Sequence, residues 1–205
     1  MKMNVMKLIA LLAIGSSVNA YAAEPAATKG SSQLLMYIQP VDYTNPIKLW
    51  SPYQDYWFYQ GPVVEKVALS TFTKAYGDVG MCESNQSGNA LVWLQPKLFY
   101  NPQVQLFFGE VTADVYKGVG EHIGEYVGKS QVRGFLNMHM QAEASIEKAY
   151  AAAMADVVAK MQADSALQAH INSHINNTSQ QYQTDKSPCA MVTLFPTKKI
   201  RAMSF

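Results

Sequence analysis

The chain has 205 residues, with 16 Lys and Arg against 15 Asp and Glu and a formal net charge of +1. That balance argues against a nucleic-acid binder, which would show a basic stripe. Charged residues make up only 15% of the chain, against about a quarter in ordinary globular proteins, so Gln, Asn, Ser, Thr and Tyr must carry much of the solvated surface.

Chain order begins with the pattern of an export signal. Lys2 and Lys7 precede a short apolar run, Leu8 to Ile14, and Ala20-Tyr21-Ala22 fits the small-x-small rule for cleavage. The expectation is a signal peptide over 1–22 and a mature chain starting at Ala23, with a cut after Ala20 as the competing choice. The run is too short for a membrane anchor, which needs about 20 apolar residues. No transmembrane segment is expected in the mature chain, which is expected to be periplasmic. A flexible lead-in is expected over 23–32 and one domain over 33–205; about 180 residues suffice for a real core.

"QLLMYIQ" (33–39) reads as a first strand closed by Pro40. The next segment, "WSPYQDYWFYQGP" (50–62), crowds Trp50, Tyr53, Tyr56, Trp57, Phe58 and Tyr59 into a stretch without regular pattern. A helix follows over 61–77. Pro62 suits its first turn and Gly77 its stop, and Val64, Val67, Ala68, Phe72, Ala75 and Tyr76 share one face.

Residues 90–118 are rich in β-branched and aromatic side chains and break at Asn101-Pro102. Beyond that break Phe107, Val111, Ala113 and Val115 fall on one strand face. Leu106, Phe108, Glu110, Thr112, Asp114 and Tyr116 fall on the other. A return strand over 122–138 completes a three-stranded antiparallel meander, its glycines marking bulges or bends. A long helix then spans 144–164, with Ser145 as candidate N-cap and a stripe of Ile146, Ala149, Tyr150, Ala153, Val157 and Met161. Its alanines let it lie close to a sheet. A shorter helix begins near Ser165, a polar loop occupies 176–187, and "CAMVTLF" (189–195) reads as a last strand before a loose basic end. The fold class expected is α+β: an antiparallel sheet of four or five strands with two main helices packed on it.

The block "QVRGFLNMHMQAEASIEKAYAAAMADVVAKMQAD" (131–164) and the preceding "VTADVYKG" resemble the end of YajG-type bacterial envelope lipoproteins, loosely, over about 89–175. The resemblance implies a helix-on-sheet envelope domain and carries no catalytic residue. The chain departs from that family's pattern in having no lipobox cysteine near the cleavage site, and in its aromatic segment and Cys-containing tail.

Cys82 and Cys189 are the only cysteines. In an exported protein they are expected to form one disulfide. Closing a loop of over about 100 residues is worth at most ~4–5 kcal/mol in the chain-entropy model, and the bridge would tie the C-terminal tail to the body. His170 and His174 share a helical face, but no glutamate completes an H-E-x-x-H motif, so a solvated face is preferred to metal. In "MHM" (138–140) a strand would point Met138 and Met140 away from His139, which disfavours copper. Glu110 and Asp114, roughly 13 Å apart along a strand, are too distant for a glycosidase pair and read as surface residues. No nucleotide or serine-hydrolase motif appears. No enzyme activity and no cofactor is expected.

The candidate binding residues are therefore Trp50, Tyr53, Tyr56, Trp57 and Tyr59. Aromatics of this kind either cap a core or anchor a partner. The expected partner is an envelope protein, with a glycan bound near Gln54 and Asp55 as the alternative. Trp57 is the residue expected to be exposed, because Tyr56 and Phe58 take the opposite face of an extended chain. N-terminal sequencing of exported protein should read Ala23 first; a start at Met1 with membrane retention would overturn the compartment assigned here.

Overall fold

The computed structural model describes residues 32–52, 54–82, 86, 88–117, 120–136, 139–173 and 188–196. The expected signal peptide and lead-in, Tyr53, Met138, His174, the expected polar loop and the basic end lie outside the described residues, except that Ser32 opens the first strand. Elements run β1 (Ser32–Ile38), α1 (Pro40–Thr44), β2 (Ile47–Trp50), β3 (Asp55–Phe58), α2 (Gln60–Tyr76), β4 (Val79–Met81), β5 (Gly88–Asn101), β6 (Leu106–Lys117), β7 (His122–Arg133), α3 (His139–Ala163), α4 (Ser165–Ser173) and a 3-10 segment (Pro188–Leu194). Among the described residues no helix is long and apolar enough to cross a membrane.

The class is α+β, but the sheet is mixed. Its order is β4-β1-β5-β6-β7, and β1 runs parallel to both neighbours while β5, β6 and β7 form the antiparallel meander. The purely antiparallel expectation fails at β1. A parallel pair needs a long crossover, and the hairpin and α2 supply it between β1 and β4. β4 has three residues, too few for an alternating pattern to show. The expected last strand is instead the 3-10 segment. β2 and β3 form a separate two-stranded sheet, so the aromatic segment is a hairpin and its neighbour rather than irregular chain.

One face of the large sheet carries the main core. Phe107, Val111, Ala113 and Val115 of β6 are fully buried, as their shared face requires. Val64, Val67, Ala68 and Phe72 of α2 and Ile146, Ala149, Tyr150, Ala153, Val157 and Met161 of α3 bury against them. Ser145 is not a cap. It lies inside α3, and its hydroxyl donates to the Gln141 carbonyl one turn back at 2.8 Å. The α4 start is capped by Asp164, whose carboxylate accepts from the amides of Ala166 and Leu167 at 3.0 and 3.1 Å. It also accepts from the Tyr126 hydroxyl at 2.7 Å, which ties this cap to β7. Those bonds, the Tyr126 bond foremost, hold the Asp164 carboxyl below its ordinary range.

Of the two β7 glycines, Gly128 serves close approach to α3. A Cβ on Gly128 would fall inside the carbonyl oxygen of Ala153 and meet Val157 Cγ2 at 2.7 Å. Gly124 marks a bulge, as expected: Val115 pairs with Gly124 and Tyr116 with His122, which leaves Ile123 as the extra residue in the β6–β7 register. α3 also covers part of the free β7 edge. Asp156 accepts the Lys129 amide at 3.1 Å, and the Lys160 ammonium donates to the Val127 carbonyl at 2.6 Å, which blunts an edge that could otherwise pair with another chain.

Among the described residues the other face of the sheet is covered at one end only. Leu35 and Leu91 are fully buried there beneath the C-terminal segment, with Tyr37, Tyr116, Val192 and Phe195 packed around them. Cys82 and Cys189 are joined, their Cα atoms 5.5 Å apart, so the expected disulfide and its tethering role both hold. Gly128→Ala should cost about 1–3 kcal/mol by overpacking, read as a lower denaturation midpoint; an unchanged midpoint would show that α3 does not approach β7 this closely.

Candidate functional site

The two faces of the β2–β3 hairpin differ because its strand alternation separates apolar from amphipathic residues. Pairing sets Ile47 against Phe58, Lys48 against Trp57, Leu49 against Tyr56 and Trp50 against Asp55. Leu49 and Tyr56 are buried in the main core, with Ile47 and Phe58 half-buried beside them. Burial, more than the nearby Glu143 charge, raises the Tyr56 hydroxyl above its ordinary range. The opposite face looks outward: Trp57 is 57% exposed and Trp50 50%. Tyr59, at the N-cap of α2 in extended backbone, is 49% exposed.

Lys48 organises this outer face. Its ammonium lies 5.8 Å from the centroid of the Trp57 ring and 3.2 Å from the Asp55 carboxylate. Such an exposed ion pair is worth about 0–1 kcal/mol, so its value is positional, as is the cation–π contact. The loop is fixed from outside as well: the Gln54 amide donates to the Leu136 carbonyl at 2.7 Å. Gln60, at the start of α2, donates to the buried Tyr150 hydroxyl of α3.

The five candidate binding residues thus separate. Trp50, Trp57 and Tyr59 are surface residues, Tyr56 is core, and Tyr53 lies outside the described residues. The expectation that Trp57 faces outward while Tyr56 and Phe58 turn in holds. Lys48 was missed by sequence reasoning; the signal for it was the pair of short alternating runs flanking Pro52, which together spell a hairpin. Gln54, considered for a glycan, has its amide engaged with the backbone at Leu136. Asp114, read as a surface residue, is buried. It accepts from the Gln95 amide at 2.6 Å and lies 3.2 Å from the His122 ring. Glu110 is half-buried between Lys97 and Lys129 at 2.8 and 3.4 Å, and the Lys97 hydrogen bond chiefly holds its carboxyl below the ordinary range. Two shallow depressions lie away from the hairpin. One of about 450 Å³ is lined by Lys97, Phe99, Phe108, Glu110 and Lys129 on the sheet face opposite α2 and α3. The other, about 360 Å³, is lined by Tyr37, Tyr43 and Glu65.

No protein-family model and no curated protein matches the sequence. Among solved structures, a Xanthomonas campestris protein of the DUF330 family is similar at 12% identity and a TM-score of 0.45, covering 67% of this chain and 88% of that one. A candidate lipoprotein from Caulobacter crescentus is similar at 11% identity and a TM-score of 0.30, covering 50% of this chain and 76% of that one. Neither description names a YajG-type protein, and similarities this low leave the functional reading to the chain's own residues.

The hairpin has a direct stability test. Tyr56→Ala should cost about 3 kcal/mol or more, and Trp57→Ala should stay within about 0.5 kcal/mol of wild type. Equal losses measured by thermal or chemical denaturation would place Trp57 in the core.

Proposed function

We propose that this chain is an exported, non-catalytic component of the bacterial envelope that binds another protein through the outer face of the β2–β3 hairpin. The observation carrying this reading is the division of the hairpin. Leu49 and Tyr56 bind it to the core, while Trp50 and Trp57 leave half or more of their surface in water. Large exposed aromatics on a backed, hydrogen-bonded platform are the residues that anchor protein interfaces. The rim of such an interface is polar and solvent-accessible, and the Lys48–Asp55 pair is a polar neighbour of that kind here.

The second reading is a glycan or peptidoglycan ligand stacked on Trp57. It is favoured by the same Lys48–Asp55 pair, which offers a donor and an acceptor beside an indole face. It is weakened by the engagement of Gln54 with Leu136 and by the absence of hairpin residues from the linings of both depressions described above.

Trp57→Ala separates these readings from each other and from a purely structural role. The variant should melt like wild type and recover its envelope partner at least about 30-fold more weakly, the equivalent of ~2 kcal/mol for an interface anchor. Undiminished recovery by a folded Trp57→Ala protein would contradict the interface. Saturable quenching of wild-type tryptophan fluorescence by soluble peptidoglycan fragments, lost in the same variant, would favour the glycan.

A further inference from the structure

The face of the sheet opposite α2 and α3 has an aromatic floor that the proposed hairpin interface does not use. Trp93 of β5 is 5% exposed, and its ring lies flat beneath Phe195, centroids 4.6 Å apart at an interplanar angle of 5°. Tyr116 of β6 and Tyr37 of β1 complete the surround, 5.0 and 5.8 Å from the same Phe195 ring. The Gln39 side chain donates to the Pro196 carbonyl at 2.9 Å. A Phe-Pro pair is therefore seated on this floor as a ligand would be, ring on indole and carbonyl on amide.

The seat is incompletely matched. The Trp93 indole N–H is buried and has no hydrogen-bond acceptor among the described residues. Buried donors are nearly always paired, and the segment that covers this one stacks on its ring without accepting its proton. An occupant bringing an aromatic ring together with a suitably placed carbonyl or carboxylate would satisfy both. The covering segment is covalently attached beside this floor through Cys82–Cys189, which are 107 residues apart in sequence. Cys189 is buried and Cys82 is half-buried.

We propose that the Trp93–Tyr37–Tyr116 floor is a second binding site, for a peptide segment carrying an aromatic residue and a backbone acceptor, and that residues 188–196 occupy it as a tethered internal ligand until the disulfide is reduced. The reductant is a dithiol. One of its thiolates attacks a disulfide sulfur, forming a mixed disulfide and releasing the other cysteine as a thiolate that takes up a proton. The second dithiol sulfur then displaces the remaining cysteine, which is also protonated, and the reductant leaves as its own disulfide. The segment then remains held only by non-covalent contacts that a better-matched peptide can replace.

The test uses the full mature chain and a fluorescent peptide of its own residues 190–197. A Cys189→Ser/Phe195→Ala double variant, which loses both the tether and the stacking ring, should bind the peptide saturably, and adding Trp93→Ala should reduce that affinity at least tenfold. Oxidised wild type should bind at least tenfold more weakly than the double variant. Absence of saturable binding by the folded double variant, or equal binding by oxidised wild type, would overturn the site. Hydrogen exchange on wild type needs no substitution. Reduction with dithiothreitol should accelerate exchange of residues 189–195 at least tenfold while β5 and β6 keep their protection. Retained protection of 189–195 after reduction would overturn the gating.

Discussion

The close approach of α3 to β6 and β7 is the constraint on which the other elements depend. It is made possible by glycine facing small helix residues. A side chain on Gly109 would meet the Ala149 carbonyl oxygen at 3.0 Å, and one on Gly134 would collide with Ser145. Ser130 closes the same seam by donating to the Ala149 carbonyl at 2.6 Å. With α3 held there, Tyr150 lies fully buried within reach of Gln60, which fixes the start of α2. The chain leading into α2 is the hairpin, and Gln54 binds it to the Leu136 carbonyl just ahead of α3. A helix that rode one side-chain layer higher would break these links, and the hairpin would lose the backing that turns Trp57 outward.

The same arrangement makes the two sheet faces unequal. α2, α3 and α4 supply the apolar stripes for one core, and a helix stripe buries against a single face. The opposite face needs another cover where its residues are apolar. At Leu35, Leu91 and Trp93 the cover is the disulfide-tethered C-terminal segment. Farther along β5 and β6 the residues change to Lys97, Phe99, Phe108 and Glu110, which tolerate solvent through the Lys97–Glu110–Lys129 ion pairs. Among the described residues the disulfide-tethered segment thus covers a face on which no α-helix packs.

Most of this architecture was legible in residue patterns, because burial on one face writes a period into the sequence. The stripes of α2 and α3 and the two faces of β6 follow directly from periods of 3.6 and 2. The cysteine pairing followed from compartment and count. What escaped were features that periodicity does not encode. The parallel pairing of β1 depends on where the chain returns after α2, and no residue in "QLLMYIQ" records it. The segment 188–194 is too short and too one-sided to tell a strand from a 3-10 turn. Ser145 looked like a cap because its residue type favours that position, yet α3 begins six residues earlier. At the hairpin, the outward turn of Trp57 was legible from alternation, while Lys48 lay outside the aromatic cluster that drew attention. Asp114 escaped because its partners, Gln95 and His122, come from neighbouring strands.

One polypeptide thus presents tryptophan in two opposed settings, outward on a core-backed hairpin and shielded beneath a tethered segment. Acrylamide quenching of three variants, each retaining one of Trp50, Trp57 and Trp93 with the other two replaced by Phe, measures this directly in the oxidised protein. The expected result is strong quenching of Trp50 and Trp57, approaching that of a solvent-exposed indole, with Trp93 quenched several-fold less. A shielded Trp57, or a Trp93 as accessible as the hairpin tryptophans, would contradict the account.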